Sequence, residues 1–207
     1  TTVRADGSMT SKVTFATKGM FDMILRGEAV MMSNDQQREL VEQVLHRALP
    51  DAKLTKLDLS SPLSLATPMT VTFEIEVPNA APKTGDYRLL RSIVTSGALG
   101  LVEAVAPRVF GADLSRKYGF DSRLTFEYDQ DETITLPAGT NIIALPNEAK
   151  TANKVTQMAS ACTKTDPTTV KCHRGFQLKS RFIDTAQYKE LRSSLASLGQ
   201  IARQPVI

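Results

Sequence analysis

Cys172 and His173 are the residue types that a thiol nucleophile and its general base require, and they are neighbours in the chain. Nucleophile, base and orienting group must lie within hydrogen-bond reach. Adjacent residues of a strand point to opposite faces, so this pair cannot meet if the segment is a strand. Cys162 could meet His173 only if the strand pairing there were different, and His46, the other histidine, falls on a helix away from its apolar stripe. Glu74 and Glu76 could form a carboxylate pair on one strand face, roughly 6.5–7 Å apart. The simpler reading is two solvated strand positions. Asp129-Gln130-Asp131-Glu132 is an acidic cluster without the length or glycine of a calcium loop,. We read it as a hairpin turn. With only two histidines and two cysteines in the chain, no metal site is expected,. Gly97-Ala98-Leu99-Gly100 lacks the Lys and Ser or Thr of a phosphate-binding loop,. No catalytic residue and no cofactor are assigned.

The chemistry that remains is that of a surface. Lys171, His173, Gln177, Lys179 and Arg181 alternate with Val170, Cys172, Phe176, Leu178 and Phe182. That alternation predicts a strand with one apolar face and one basic, solvated face. The basic face is the candidate contact for an acidic glycan or peptide. Nucleic acid is disfavoured, since no stacking aromatics interleave with the charges and the chain has no Trp,.

This strand is positioned by a hairpin. Asp166-Pro167-Thr168-Thr169 is turn chemistry, because Pro presets φ and Asp bonds to nearby backbone N–H groups,. A turn centred on Pro167 puts Cys162 opposite Cys172, close enough for a disulfide. Two free buried cysteines are the alternative. A disulfide would point to an oxidising compartment.

Elsewhere, Val3–Ala5, Asp6-Gly7 and 9–17 read as a hairpin, followed by a helix over 18–31 with Phe21, Ile24 and Leu25 on one face,. A second helix begins at Ser33-Asn34-Asp35, with Asn34 as cap and Gln37 as its capping-box partner. Its stripe is Leu40, Val41, Val44, Leu45 and Ala48, and it ends at Pro50,. Strands are expected around Leu54–Leu59, at Thr70–Val77 and at Tyr87–Val94. Gly97–Val105 reads as a short apolar helix or buried segment, and 107–119 as irregular. Short strands follow around Leu124–Tyr128, Ile134–Leu136 and Ile142–Leu145. The last element is a helix capped by Asp184, with Gln187 as partner and Tyr188, Leu191, Leu195 and Leu198 as its stripe, stopping near Gly199. Arg26, Arg108, Arg174 and Arg192 stand in apolar or family-like contexts and are expected to be partly buried and paired with Asp or Glu, a packing role.

The 207 residues are 42% hydrophobic and 23% charged with net charge +3, which excludes a disordered chain and a strongly basic one,. No apolar run reaches the roughly 18 residues of a membrane span. The opening at Thr1, without Met or signal peptide, is expected of a mature or excised fragment,.

The order of several short motifs carries a resemblance. Gly19, Leu25, Arg26 and Gly27 precede the second helix. Leu136-Pro137-Ala138-Gly139 is followed by Leu145-Pro146, a long hairpin with Arg174 and Phe176, then Tyr188, Leu191, Arg192 and a terminal Pro-Val-Ile. This resembles the β-rich domain of unknown function that follows the papain-like core in bacterial transglutaminase-like proteins. The resemblance implies an exported chain, periplasmic or secreted, with an accessory role beside that core. The family's catalytic Cys, His and Asp belong to the core and have no counterparts here.

The expected fold is α+β, mainly β: an antiparallel β-sandwich over 51–207 with its C-terminal docking helix, and a hairpin and helical pair over 1–50 packed on it. The expected function is a non-catalytic accessory or scaffolding domain whose partner is the transglutaminase-like core of the same parent chain. A glycan- or peptide-binding module is the alternative, and an independent enzyme the remote one.

Overall fold

The computed structural model describes residues 1–96 and 116–207. The expectations for 97–105, for 107–115 of the irregular stretch and for Arg108 lie outside them. The strands are β1 (Thr2–Val3), β2 (Met9–Ala16), β3 (Lys53–Leu59), β4 (Thr70–Val77), β5 (Lys83–Thr84), β6 (Tyr87–Arg88), β7 (Phe120–Asp121), β8 (Phe126–Thr135), β9 (Ala149–Ala152), β10 (Thr156–Asp166), β11 (Thr169–Leu178) and β12 (Phe182–Ile183). The helices are α1 (Met20–Met31), α2 (Asn34–Ala48) and α3 (Thr185–Ile201). The class is α+β, mainly β. The chain divides into two compact units, Thr1–Ala80 and Ala81–Ile207. β3 and β4 belong to the first unit, because β4 pairs with β2 along its whole length, from Met9↔Val77 to Ala16↔Thr70.

In the first unit the antiparallel order is β3-β4-β2-β1. Val71, Phe73, Ile75 and Val77 are buried and alternate with wetter Thr and Glu residues, as the period-2 pattern requires,. Glu74 and Glu76 stand opposite Lys12 and Thr10, and Glu76 pairs with Arg4 at 3.4 Å, an ordinary solvated strand face. β3 is outermost in this order, with a register shift between Leu54 and Lys56 and with lysines at 53 and 56, both devices that discourage further pairing,. Arg38 of α2 donates to the Leu54 carbonyl at 2.6 Å, and Leu45 is buried. The α2 cap is Ser33, one residue earlier than expected. Its backbone is extended, its hydroxyl accepts from Gln36 N–H, and Gln36 answers the Ser33 N–H. Gln37 turns back instead, donating to the Ala29 and Met32 carbonyls at the end of α1. Leu40 and Val44, expected in the buried stripe, are exposed.

In the second unit the order is β8-β11-β10-β9, all antiparallel. β8 runs unbroken through Asp129-Gln130-Asp131, so the turn expected there is strand. Each of these residues has a partner on β11, which holds the segment extended against local turn preference,. Tyr87–Val94 is strand only at Tyr87–Arg88, and Ser92–Ser96 bends into a turn. Ile142–Leu145 is not a strand. The Ile143 N–H bonds instead to the terminal Ile207 carbonyl, while Val206 and Leu90 exchange both backbone bonds. The inner sheet face is covered by a helix: α3 packs on β9 and β10 through Tyr188, Leu191, Ser194 and Leu198, and Ser194 Oγ lies 2.9 Å from Thr156 Oγ1. The Asp184–Gln187 capping box forms as expected, and the helix continues past Gly199 to Ile201.

Cys162 and Cys172 face each other in register and are joined by a disulfide. The closed loop is short, so the chain-entropy contribution is about 2–3 kcal/mol. Cys162→Ala with Cys172→Ala is expected to lower the melting temperature of the second unit by roughly 5–10 °C. Calorimetry on the variant and on wild type, each with and without reductant, checks this. An unchanged midpoint would mean that strand pairing alone holds the hairpin.

Candidate functional site

The predicted face of β11 is real as a face, but it is not purely basic. Lys171, His173 and Gln177 point outward, while Val170, Cys172, Arg174, Phe176 and Leu178 are buried behind them. β8 lays its own acids alongside. His173 Nδ1 is 3.0 Å from Asp131 Oδ1 and its Nε2 is 3.8 Å from Asp129. Gln177 donates to Glu127 at 3.3 Å. Gly175 leaves the room that the Asp129 carboxylate occupies, since a Cβ there would sit 2.6 Å from Asp129 Oδ1. Lys179 and Arg181 lie beyond the strand end. Lys179 reaches the Asn153 carbonyl, and Arg181 forms a two-pronged pair with Asp121 at 2.8 and 2.7 Å. That pairing holds the Asp121 carboxyl below its ordinary range and raises Arg181. Sequence reading found the cations and missed the acids, because Glu127, Asp129 and Asp131 were assigned to a strand end and a turn.

The groups needed for thiol chemistry stay apart. Both cysteines are consumed by the disulfide, and His46 Nε2 sits 3.1 Å from the Ala52 carbonyl. That histidine lines a shallow recess of about 500 Å³ together with Pro50, Asp51, Ala52, Lys53, Pro78 and Asn79. Among the described residues no three His, Cys, Asp or Glu side chains converge as metal ligands. No described helix is long and apolar enough to cross a membrane.

Two buried arginines work as loop clamps, a role beyond the packing expected from sequence. Arg174, wholly buried, donates to the Thr95 carbonyl at 3.0 Å and the Val94 carbonyl at 3.4 Å. Glu132, inward-facing on β8, takes the other side of the same turn, accepting from Ser92 Oγ at 2.6 Å and Val94 N–H at 3.2 Å. In the first unit, Arg26 donates to the carbonyls of Pro62, Ser64 and Thr67 at 2.9, 2.8 and 2.6 Å. It also pairs with Asp22 at 2.6 Å, and Asp22 in turn accepts the Met69 N–H. Arg192 is half-buried.

The Arg26 clamp has a consequence for α1. Charged Asp22 and Arg26 turn inward, and Arg26 and Ala29 are the helix's buried residues. Met20, Met23, Ile24, Val30 and Met31 turn outward, with Met23 67% and Met31 85% exposed. Ile24, expected to share a face with Phe21 and Leu25, is among them, while those two are half-buried. The clamped loop adds Leu63 and Leu65, 78% and 83% exposed. An amphipathic helix normally buries its apolar stripe; this one displays it.

An α+β chain of two units, with loops held by buried arginines and His173 set against Asp129 and Asp131 on the outer strand face, is what the geometry defines. Within the second unit, residues 105–207 match DUF3858, a domain of unknown function. No curated protein and no solved structure matches the chain.

Proposed function

We propose that this chain is a non-catalytic accessory domain of an exported, transglutaminase-like bacterial protein, and that it works by presenting a contact surface. The observation that supports this most directly is the outward apolar face of α1, with Leu63 and Leu65 exposed on the loop that Arg26 holds. Large apolar side chains gathered on one exposed helix face form an apolar patch, and the largest such patch on an ordinary monomer, roughly 300–600 Å², is often functional,. The disulfide is compatible with a periplasmic or secreted location,. The glycan- or peptide-binding reading, through Lys171, His173, Gln177, Lys179 and Arg181, loses weight because three of these side chains already lie against carboxylates.

The test is site-specific photocrosslinking in the parent protein in its own envelope. A photoreactive residue at Ile24 is expected to give a discrete crosslinked product, and the same probe at Glu127 is not. A product joining this domain to the transglutaminase-like core, the partner that the family resemblance implies, would satisfy the reading. Crosslinking at position 24 no stronger than at position 127 would sink it.

A further inference from the structure

We infer that the outward face of α1 is a self-association surface, packing against α1 of a second copy of this chain in antiparallel fashion about Gly27. The inference rests on the contact-surface reading above and names its occupant. Four of the five outward apolar positions lie symmetrically about Gly27, Ile24 and Val30 three residues to either side and Met23 and Met31 four, with Met20 unmatched at the helix start. Residues three and four apart share a helix face. A two-fold axis through Gly27 therefore sets Met23 against Met31 of the partner subunit and Ile24 against Val30 of the partner subunit, the self-complementarity that a two-fold contact demands.

Gly27 itself has open space where a Cβ would stand. Glycine inside a helix costs about 1 kcal/mol relative to alanine. At the centre of the stripe it leaves a notch in which a second helix can approach closely. The first unit makes no evident use of that notch.

The helix also needs support. It has twelve residues, no side-chain N-cap bond at Gly19 and no basic residue in its last turn. Helices this short are marginal without tertiary packing. A second α1 would supply that packing on the open side.

Charge argues for a like partner over a lipid surface. The outward stripe carries no charge, so two copies meet without opposing like charges. A helix lying on an anionic membrane is rich in flanking Lys and Arg; here Arg26 turns inward, and exposed Lys18 before the helix is offset by exposed Glu28 on its flank. A second α1 laid on this face would cover five large apolar side chains that stand 43–85% exposed.

Sedimentation equilibrium on the chain is the first test. Wild type is expected to be dimeric at tens of micromolar, and Met23→Glu with Met31→Glu to be monomeric with unchanged circular dichroism, since both side chains are exposed. Mild oxidation of single-cysteine additions tests the geometry. Gly27→Cys is expected to crosslink to itself. Met31→Cys is not, because an antiparallel crossing separates the two copies of residue 31 by about 12 Å along the axis. Met31→Cys is expected to crosslink to Met23→Cys when the two are mixed. A chain that stays monomeric at about 100 µM overturns the inference, as does a dimer indifferent to the two glutamates or one in which Met31→Cys crosslinks to itself. A monomer that still photocrosslinks from position 24 to another domain or protein overturns self-association and leaves the contact-surface reading standing.

Discussion

Arg174→Ala is expected to lower the stability of the second unit by about 4 kcal/mol. Two effects combine. Truncating a large, wholly buried side chain leaves a cavity, which for large-to-small changes costs about 2–5 kcal/mol. The Val94 and Thr95 carbonyls then lose a charged donor in a place water reaches poorly, at about 1–3 kcal/mol for each group left unsatisfied,. Relaxation of the turn recovers part of the sum. Urea unfolding followed by circular dichroism measures the loss. Arg174→Lys keeps the charge but not the planar fork, so it should recover less than half. Glu132→Gln should couple to Arg174→Lys by more than about 0.5 kcal/mol in a double-mutant cycle, because both side chains hold the 92–95 turn,. Strict additivity would mean that the two clamps act independently.

Arg26→Ala is expected to destabilise the first unit by about 3 kcal/mol, again through orphaned carbonyls, here those of Pro62, Ser64 and Thr67,. It should also change the acid limb of stability. The Asp22 carboxyl is held below its ordinary value of 3.8, first by the Arg26 hydrogen bond and then by the Met69 N–H. A carboxyl whose folded pKa is depressed contributes stability that is fully present above its unfolded value. That contribution is lost as pH falls through the folded one. Wild type should therefore lose this stabilisation below about pH 4, and Arg26→Ala should show a shallower decline over the same range. Parallel acid limbs in the two proteins would show that Asp22 owes its low pKa to something other than Arg26. The same variant frees the loop that carries Leu63 and Leu65, and limited proteolysis should cut there first.

Much of the framework was legible in local pattern. Val71, Phe73, Ile75 and Val77 alternate so regularly that one wet face and one buried face had to follow. Asp166-Pro167 set the hairpin turn, and with it the register that brings Cys162 to Cys172. Asp184 and Gln187 announced α3 because a capping box is a contact within four residues. Each of these is decided by neighbours in the chain.

What tertiary structure decided was which local preference survives. Asp129-Gln130-Asp131 prefers a turn, but backbone bonding to β11 along the full length of β8 outweighs a preference of about 1 kcal/mol, and the acids become the counter-charges of the supposed basic face,. The first unit extends to residue 80 through strand pairing between β2 and β4, which is long-range and leaves no mark in composition. The orientation of α1 was the least legible. Its periodicity states that an apolar stripe exists, not which way it faces. Arg26 chose the direction by finding three loop carbonyls and Asp22 on one side, and that choice turned the methionines outward.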